Sequence, residues 1–240
     1  MGLQGARILV VGGGSGIGLA VARAALAEGA VLTIASTNRD KLAAAAQQLG
    51  GIATTRLDIA DEAAVAAYFA GSGSFDHIVS TAGDWGESGR GLIAEMDLHE
   101  AEELFRVRFW GAAILAKHGA ARLAAGGSLT LTAGMSAWRP AKGSVMATAM
   151  CGAVGHLTLG LAKELAPLRV NAVFPGGVAT EVYRALPEAV RAAWEGRFTS
   201  QPLPRIGEPD EVAEAYLYLM KAGYTTGQIL QVDGGSMLAG

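Results

Sequence analysis

A stretch of seven residues near the start of the chain has the make-up of an anion seat. In "ILVVGGGSGIGLAVARAALAEGA", Gly12, Gly16 and Gly18 follow an apolar run of strand length and open a segment of helical spacing, with Gly14, Ser15 and Ile17 between them. Glycines there let the backbone turn tightly and approach a pyrophosphate, whose charge then lies against the unpaired N–H groups of the helix start. With strand before and helix after, the loop reads as dinucleotide-binding rather than as a purely structural turn.

A second pair of residues is defined by chemistry it lacks. Met146 and Met150 stand four apart in "SVMATAMCGAVGHLTLGLAKELAP", which has the cadence of a long helix. A thioether neither donates a proton nor stabilises negative charge, so the two either fill space against a sheet or line an apolar site. Cys151, beside Met150, reads as a small buried hydrophobe, and His156 as a surface or interface residue.

Positioning these groups requires a framework, and the chain spells one out. Apolar runs "RILVVG", "VLTIAS", "ATTRLD", "HIVSTAG", "SLTLTAG", "RVNAVFPG" and "GQILQVDGG" alternate with longer Ala/Leu-rich segments of helical spacing. Near-continuous apolar strands separated by helices predict an α/β fold, a parallel sheet of about seven strands covered on both faces. The 240 residues, 51% hydrophobic, suit one domain spanning 1–240. The least regular stretch, 175–210, carries Pro175, Pro187, Pro202, Pro204 and Pro209, and is expected to hold a substrate lid at about 181–207.

Composition narrows the partners. A formal net charge of −3 with no Lys/Arg run argues against nucleic acid and anionic membranes, and points to a small-molecule substrate and to copies of the same chain. The single cysteine excludes an intrachain disulfide and a Cys-cluster metal site, so no metal is expected and the cytoplasm is the expected compartment. The N-terminal "MGLQGARILVVGGG" reads as a first strand, neither signal peptide nor membrane span.

The tip of the second strand should read the adenosine ribose. Here it is Ser36, Thr37, Asn38 and Arg39, with no acid to bind the ribose hydroxyls of NAD and repel a 2′-phosphate. The hydroxyls and Arg39 favour NADP(H) slightly over NAD(H), with a solvated helix-start residue as the equal alternative for Arg39.

Taken in order, the glycine loop, "LDIAD", "STAG", "SLTLTAG", the long helix, "NAVFPGGVATE" and "TTGQILQVDGG" resemble the short-chain dehydrogenase/reductase family over almost the whole chain. The resemblance implies a single doubly wound Rossmann-type domain that acts as an oxidoreductase with NAD(P)(H). It places Asp58 and Ile59 at the adenine, Thr81, Ala82 and Gly83 at the end of the family's NNAG motif, and Pro175, Gly176, Val178 and Thr180 along the nicotinamide amide. It also implies a homodimer or homotetramer built through the fourth helix, "EAEELFRVRFWGAAILAKHGAARLA", and the fifth, residues 144–165.

The family's four catalytic positions are another matter. Its Asn, Ser, Tyr and Lys fall on Arg108, Ala133, Met146 and Met150. General acid catalysis is typically worth roughly 10²–10⁴-fold and an oxyanion donor about 10²–10³-fold, so ordinary carbonyl chemistry would fall to a rate on the order of 10⁻³ s⁻¹ or below. Three readings follow: hydride transfer to a substrate that needs no protein acid, such as an iminium ion or an activated double bond; transfer of the lost roles to Tyr183, Arg108, Thr132, Ser136 or Lys142; or a catalytically silent dinucleotide-binding or interaction protein.

Overall fold

Strand β1 (Arg7–Val11) sends Ile8 and Val10 into one apolar cluster and Leu9 and Val11 into another. Burial on both faces is what a parallel sheet sandwiched by helices demands. The computed structural model describes residues 2–83 and 91–239. Its sheet continues with β2 (Val31–Ser36), β3 (Ala53–Arg56), β4 (Phe75–Ser80), β5 (Leu123–Thr132), β6 (Arg169–Pro175) and β7 (Ile229–Val232). The order is β3-β2-β1-β4-β5-β6-β7 with every pairing parallel, the doubly wound arrangement expected from the sequence.

The helices, in chain order, are α1 (Gly16–Ala27), α2 (Arg39–Gln48), α3 (Glu62–Gly71), α4 (Leu98–Phe105), α5 (Gly111–Gly119), α6 (Val145–Glu164), α7 (Glu181–Arg184), α8 (Glu188–Glu195) and α9 (Pro209–Lys221). One face of the sheet is covered by α1, α2 and α9 through residues such as Val21, Leu42 and Tyr216. The other is covered by α3, α5 and α6 through Phe69, Leu115, Met150 and Val154. Local chemistry starts several of these helices. Asn38 caps α2 by accepting from Lys41 N at 2.9 Å, Asp61 caps α3 from Ala64 N at 3.0 Å, and Glu208 with Glu211 forms a capping box for α9.

Two expectations need correction. The continuous fourth helix is interrupted: after α4 the chain makes a π turn, Arg106–Trp110, before α5, and a short 3-10 turn, Ala120–Arg122, then leads into β5 at Leu123 rather than at Ser128. The π turn accommodates Phe105, Phe109 and Trp110 in successive edge-to-face contacts at 6.4 and 5.1 Å, and carries Arg108 into the interior. The early start of β5 is absorbed by a register shift between Phe75 and His77. The proline-rich stretch, read as irregular, holds α7 and α8. Its prolines punctuate these helices, Pro187 at the cap of α8 and Pro209 in the first turn of α9.

The excursion after β6 leaves and returns at one point. Ala179 N donates to Gly207 O at 2.9 Å, and Gly207 N donates to Gly177 O at 3.0 Å.

Beneath the sheet, His77 on β4 is buried with its Nδ1 2.9 Å from Ser128 Oγ. Burial, reinforced by the Arg169 charge, lowers its pKa from 6.5 to about 4. The folded chain therefore takes up this proton later than the unfolded chain as pH falls. The stability His77 contributes is whole above pH 6.5 and is lost on descent towards pH 4. Denaturant unfolding across that window should lose up to about 3 kcal/mol, and His77→Gln should flatten the slope. An identical slope in the variant would assign the acid sensitivity to other groups.

Candidate dinucleotide and catalytic site

The ends of β1 and β4 lie side by side where the connections diverge to opposite faces, which opens a crevice above the sheet. At the end of β1 the backbone turns at Gly12 with φ of 86°. Thr81 N and Thr81 Oγ1 both donate to Val11 O, at 2.8 and 3.1 Å. A Cβ on Gly12 would fall 2.6 Å from Thr81 Oγ1, and one on Gly18 would fall 2.2 Å from Gly12 O. Only glycine fits at either place. The loop is thereby pressed onto the end of β4, and Thr81 acts as its brace.

This loop leaves the start of α1 without a cap from its own segment. Ser15 supplies no side-chain cap, and the first turn contains no acid. Instead Gly16 N donates to Glu181 Oε1 at 3.0 Å, bringing in a carboxylate from the excursion that follows β6. Thr180 comes with it, its methyl 3.2 Å from where a Gly16 Cβ would stand. The segment of Pro175, Gly176, Val178 and Thr180 thus reaches across to the glycine loop. Glu181 was missed by sequence reasoning because its partner lies 165 residues away and no local pattern announces the pairing.

At the tip of β2, Ser36 Oγ accepts from Asn38 N at 3.2 Å, and Thr37 and the exposed Arg39 complete the turn. Asp58 Oδ1 accepts from Ala60 N at 2.9 Å, and its other oxygen lies 3.9 Å from Arg106 Nη1. Ile59 turns inward and packs beneath Gly111. Ala82 and Gly83 continue from Thr81 along the crevice.

At the positions the resemblance marks as catalytic, Ala133 and Met150 are fully buried, and Met146 packs half-buried against the same apolar cluster. Arg108, 4% exposed, lies against the backbone of Gly83, where a Cβ would fall 2.3 Å from its Cζ. Ser136 Oγ is 3.4 Å from Cys151 Sγ. Burial pushes the Cys151 thiol up, while Ser136 and the Arg108 charge pull the other way.

The remaining sequence candidates do not converge there. Thr132 lies on the opposite face of β5 from Ala133, donating to Ser80 O at 2.6 Å and accepting from Tyr216 OH at 2.6 Å. Burial raises the Tyr216 hydroxyl well above the ordinary phenol range. Tyr216 also escaped the sequence reading, although the apolar spacing of Val212, Ala213, Tyr216, Leu219 and Met220 along α9 marks it as interior. Tyr183 donates its hydroxyl to Glu195, and Lys142 is exposed beside a cleft of about 270 Å³ that Leu92, Ile93 and Val145 line.

A glycine loop where no Cβ fits, a helix start with no cap from its own segment and a second segment that crosses over to it through Glu181 form a cradle that fits a dinucleotide. Comparison with known proteins agrees. A family profile described as Enoyl-(Acyl carrier protein) reductase matches residues 11–237. Short-chain dehydrogenase/reductase ATR9 of Stachybotrys chlorohalonatus is 32% identical, the match covering 98% of this chain and 98% of that protein. Short-chain dehydrogenase/reductase malC of Malbranchea aurantiaca is 33% identical over 98% of this chain and 96% of its own. The structure of MalC Reductase/Diels-Alderase from that organism superposes with a TM-score of 0.90 at 32% identity, covering 98% and 97% of the two chains. A small-chain dehydrogenase in complex with NADPH superposes with a TM-score of 0.85 at 37% identity, covering 98% of this chain and all of the other.

Because Glu181 brings negative charge to the start of α1, a pyrophosphate must displace or repel it there. Glu181→Gln should tighten dinucleotide binding several-fold in a calorimetric titration, a change of about 1 kcal/mol that shrinks at high salt. Weaker binding in the variant would instead make Glu181 part of the grip.

Proposed function

The chain belongs to the short-chain dehydrogenase/reductase family, and from that premise we propose that it is an NADP(H)-dependent reductase with a remodelled, apolar active site. Its substrate is an iminium ion or a conjugated double bond activated by a carbonyl. The observation that carries the reading is the joint placement of Ala133, Met146 and Met150 in one apolar cluster, at the positions where the family keeps its hydroxyls and its amine.

Gly12–Gly18 and the start of α1 would hold the pyrophosphate, with Ser36, Thr37, Asn38 and Arg39 around the adenosine ribose and Asp58 near the adenine. Thr81, Ala82, Gly83 and the Pro175–Thr180 segment would flank the nicotinamide half. Bound there, the dinucleotide supplies a hydride. This chain's own side chains then have little proton chemistry to perform. An iminium carbon loses its charge when hydride arrives, and an activated double bond places the new charge on a remote oxygen that solvent can protonate. Met146, half-buried over the fully buried Ala133 and Met150, is the part of this cluster that would meet an apolar substrate, while Arg108 on Gly83 fixes a guanidinium nearby. The excursion over 181–207 serves as the lid, its Glu181 already reaching the glycine loop.

The comparisons support these choices without deciding them. The profile match is described for enoyl reductases, which act on activated double bonds. MalC is described as both reductase and Diels-Alderase, and a cycloaddition too proceeds without a proton donor. The NADPH complex supports NADP(H) as the dinucleotide. Two copies would pair through α4, α5 and α6. Helix α6 is apolar enough along its length to pass for a membrane span, yet only 33% of that stretch is buried within the chain and Leu159 is 47% exposed. A second copy is the partner that would cover it.

Titration with NADPH and NADH should give micromolar binding of NADPH, followed by turnover of iminium and enone substrates and ketone reduction no faster than about 10⁻³ s⁻¹. Combining Ala133→Ser, Met146→Tyr and Met150→Lys should then raise ketone reduction by roughly 10²-fold or more. Ordinary ketone turnover by the native chain would sink the remodelled-site reading, and failure to bind either dinucleotide would sink hydride transfer altogether.

A further inference from the structure

We propose that Arg56, at the end of β3, is the second cation of the seat that tells NADP(H) from NAD(H), acting together with Arg39 on the 2′-phosphate. The proposal rests on the dinucleotide reading above and adds to it a residue that the tip sequence does not contain.

Sheet register puts Arg56 there. The parallel pairing of β2 with β3 sets Ser36 opposite Arg56, and Leu57 N fastens the pair by donating to Ser36 O at 3.1 Å. A slip of one residue would turn Arg56 to the other face, so its place is fixed by the ladder rather than by its own flexible stem. Arg56 Nε donates to the Thr37 carbonyl at 3.3 Å. That bond occupies the inner nitrogen and leaves the two terminal nitrogens as a fork, the geometry that matches phosphate oxygens bidentately.

The surroundings suit an anion. Ser36 Oγ accepts from Asn38 N, which leaves its own proton to be donated. Arg39 begins α2 directly beyond the capping Asn38. Among the described residues, neither Arg39 nor Arg56 has a carboxylate within ion-pair distance. The acid closest in sequence to Arg56, Asp58, is turned to Ala60 N and Arg106. Asp40, beside Arg39, is the single acid of the tip, set against Arg39, Lys41 and Arg56. Lys41 leans over Gly14 instead, its Cβ 3.3 Å from where a Gly14 Cβ would stand. A ribose hydroxyl gains little from two guanidinium groups, whereas a phosphate dianion gains charge-assisted bonds from both.

The test is calorimetric titration of the full chain and of Arg56→Gln, Arg56→Lys and Arg39→Gln with NADPH, NADH, adenosine 2′,5′-bisphosphate and 5′-AMP. Arg56→Gln should weaken NADPH and the bisphosphate by roughly 10- to 100-fold, leave NADH and 5′-AMP within about twofold, and be partly rescued by Arg56→Lys. Thermal unfolding midpoints of the variants should match the native chain, since both arginines are exposed. If the native chain prefers NADPH and Arg56→Gln keeps that preference in full, the role of Arg56 is overturned while the NADP(H) reading stands on Arg39. Equal weakening of all four ligands would also overturn it, making Arg56 a general support of the tip. If the native chain shows no preference for NADPH, the NADP(H) reading falls and this proposal with it.

Discussion

Everything at the upper edge of the sheet depends on one close approach, that of Gly18 to the Gly12 carbonyl with Thr81 wedged against both. Because no Cβ fits, the first helix can start directly above the end of β1, beside the end of β4. Moving that contact by the width of a methyl group would shift α1, and the Thr180–Glu181 segment that leans on its first residue would follow. The cradle is therefore a property of packing between three chain segments, and it does not depend on which side chains stand at the catalytic positions.

That separation explains how the two ends of the site differ. The dinucleotide end is built from backbone groups, strand register and small residues. The end proposed as catalytic lies where the chain leaves β5 and along α6, and there Ala133, Met146 and Met150 form an apolar cluster continuous with the core. Polar groups persist on the other face of the same strand, where Tyr216, Thr132 and the Ser80 carbonyl form a closed hydrogen-bonded chain.

The central strands β1, β4 and β6 were legible because they are buried on both faces and so read as near-continuous apolar runs, and the glycine loop because its strand and helix flank it in sequence. Thr132 shows a misreading the period of a strand could have prevented. It neighbours Ala133 in the chain, yet alternation sends the two side chains to opposite faces. The π turn at Arg106–Trp110 was hidden because its periodicity departs from the helical pattern by a single residue. Glu181, Tyr216 and Arg56 were hidden for another reason: each meets its partner through tertiary packing or cross-strand register, and no spacing along the chain encodes such a meeting.

The hydrogen bonds between Gly177, Ala179 and Gly207 have a consequence for what the fold can become. They close the excursion at its neck, so the chain between is a loop whose ends are already joined. Doubling the length of such a loop costs only about 0.6 kcal/mol in closure entropy. A longer or shorter insert could be refitted beyond Glu181, with Thr180 and Glu181 keeping their places on the glycine loop and the core carried over.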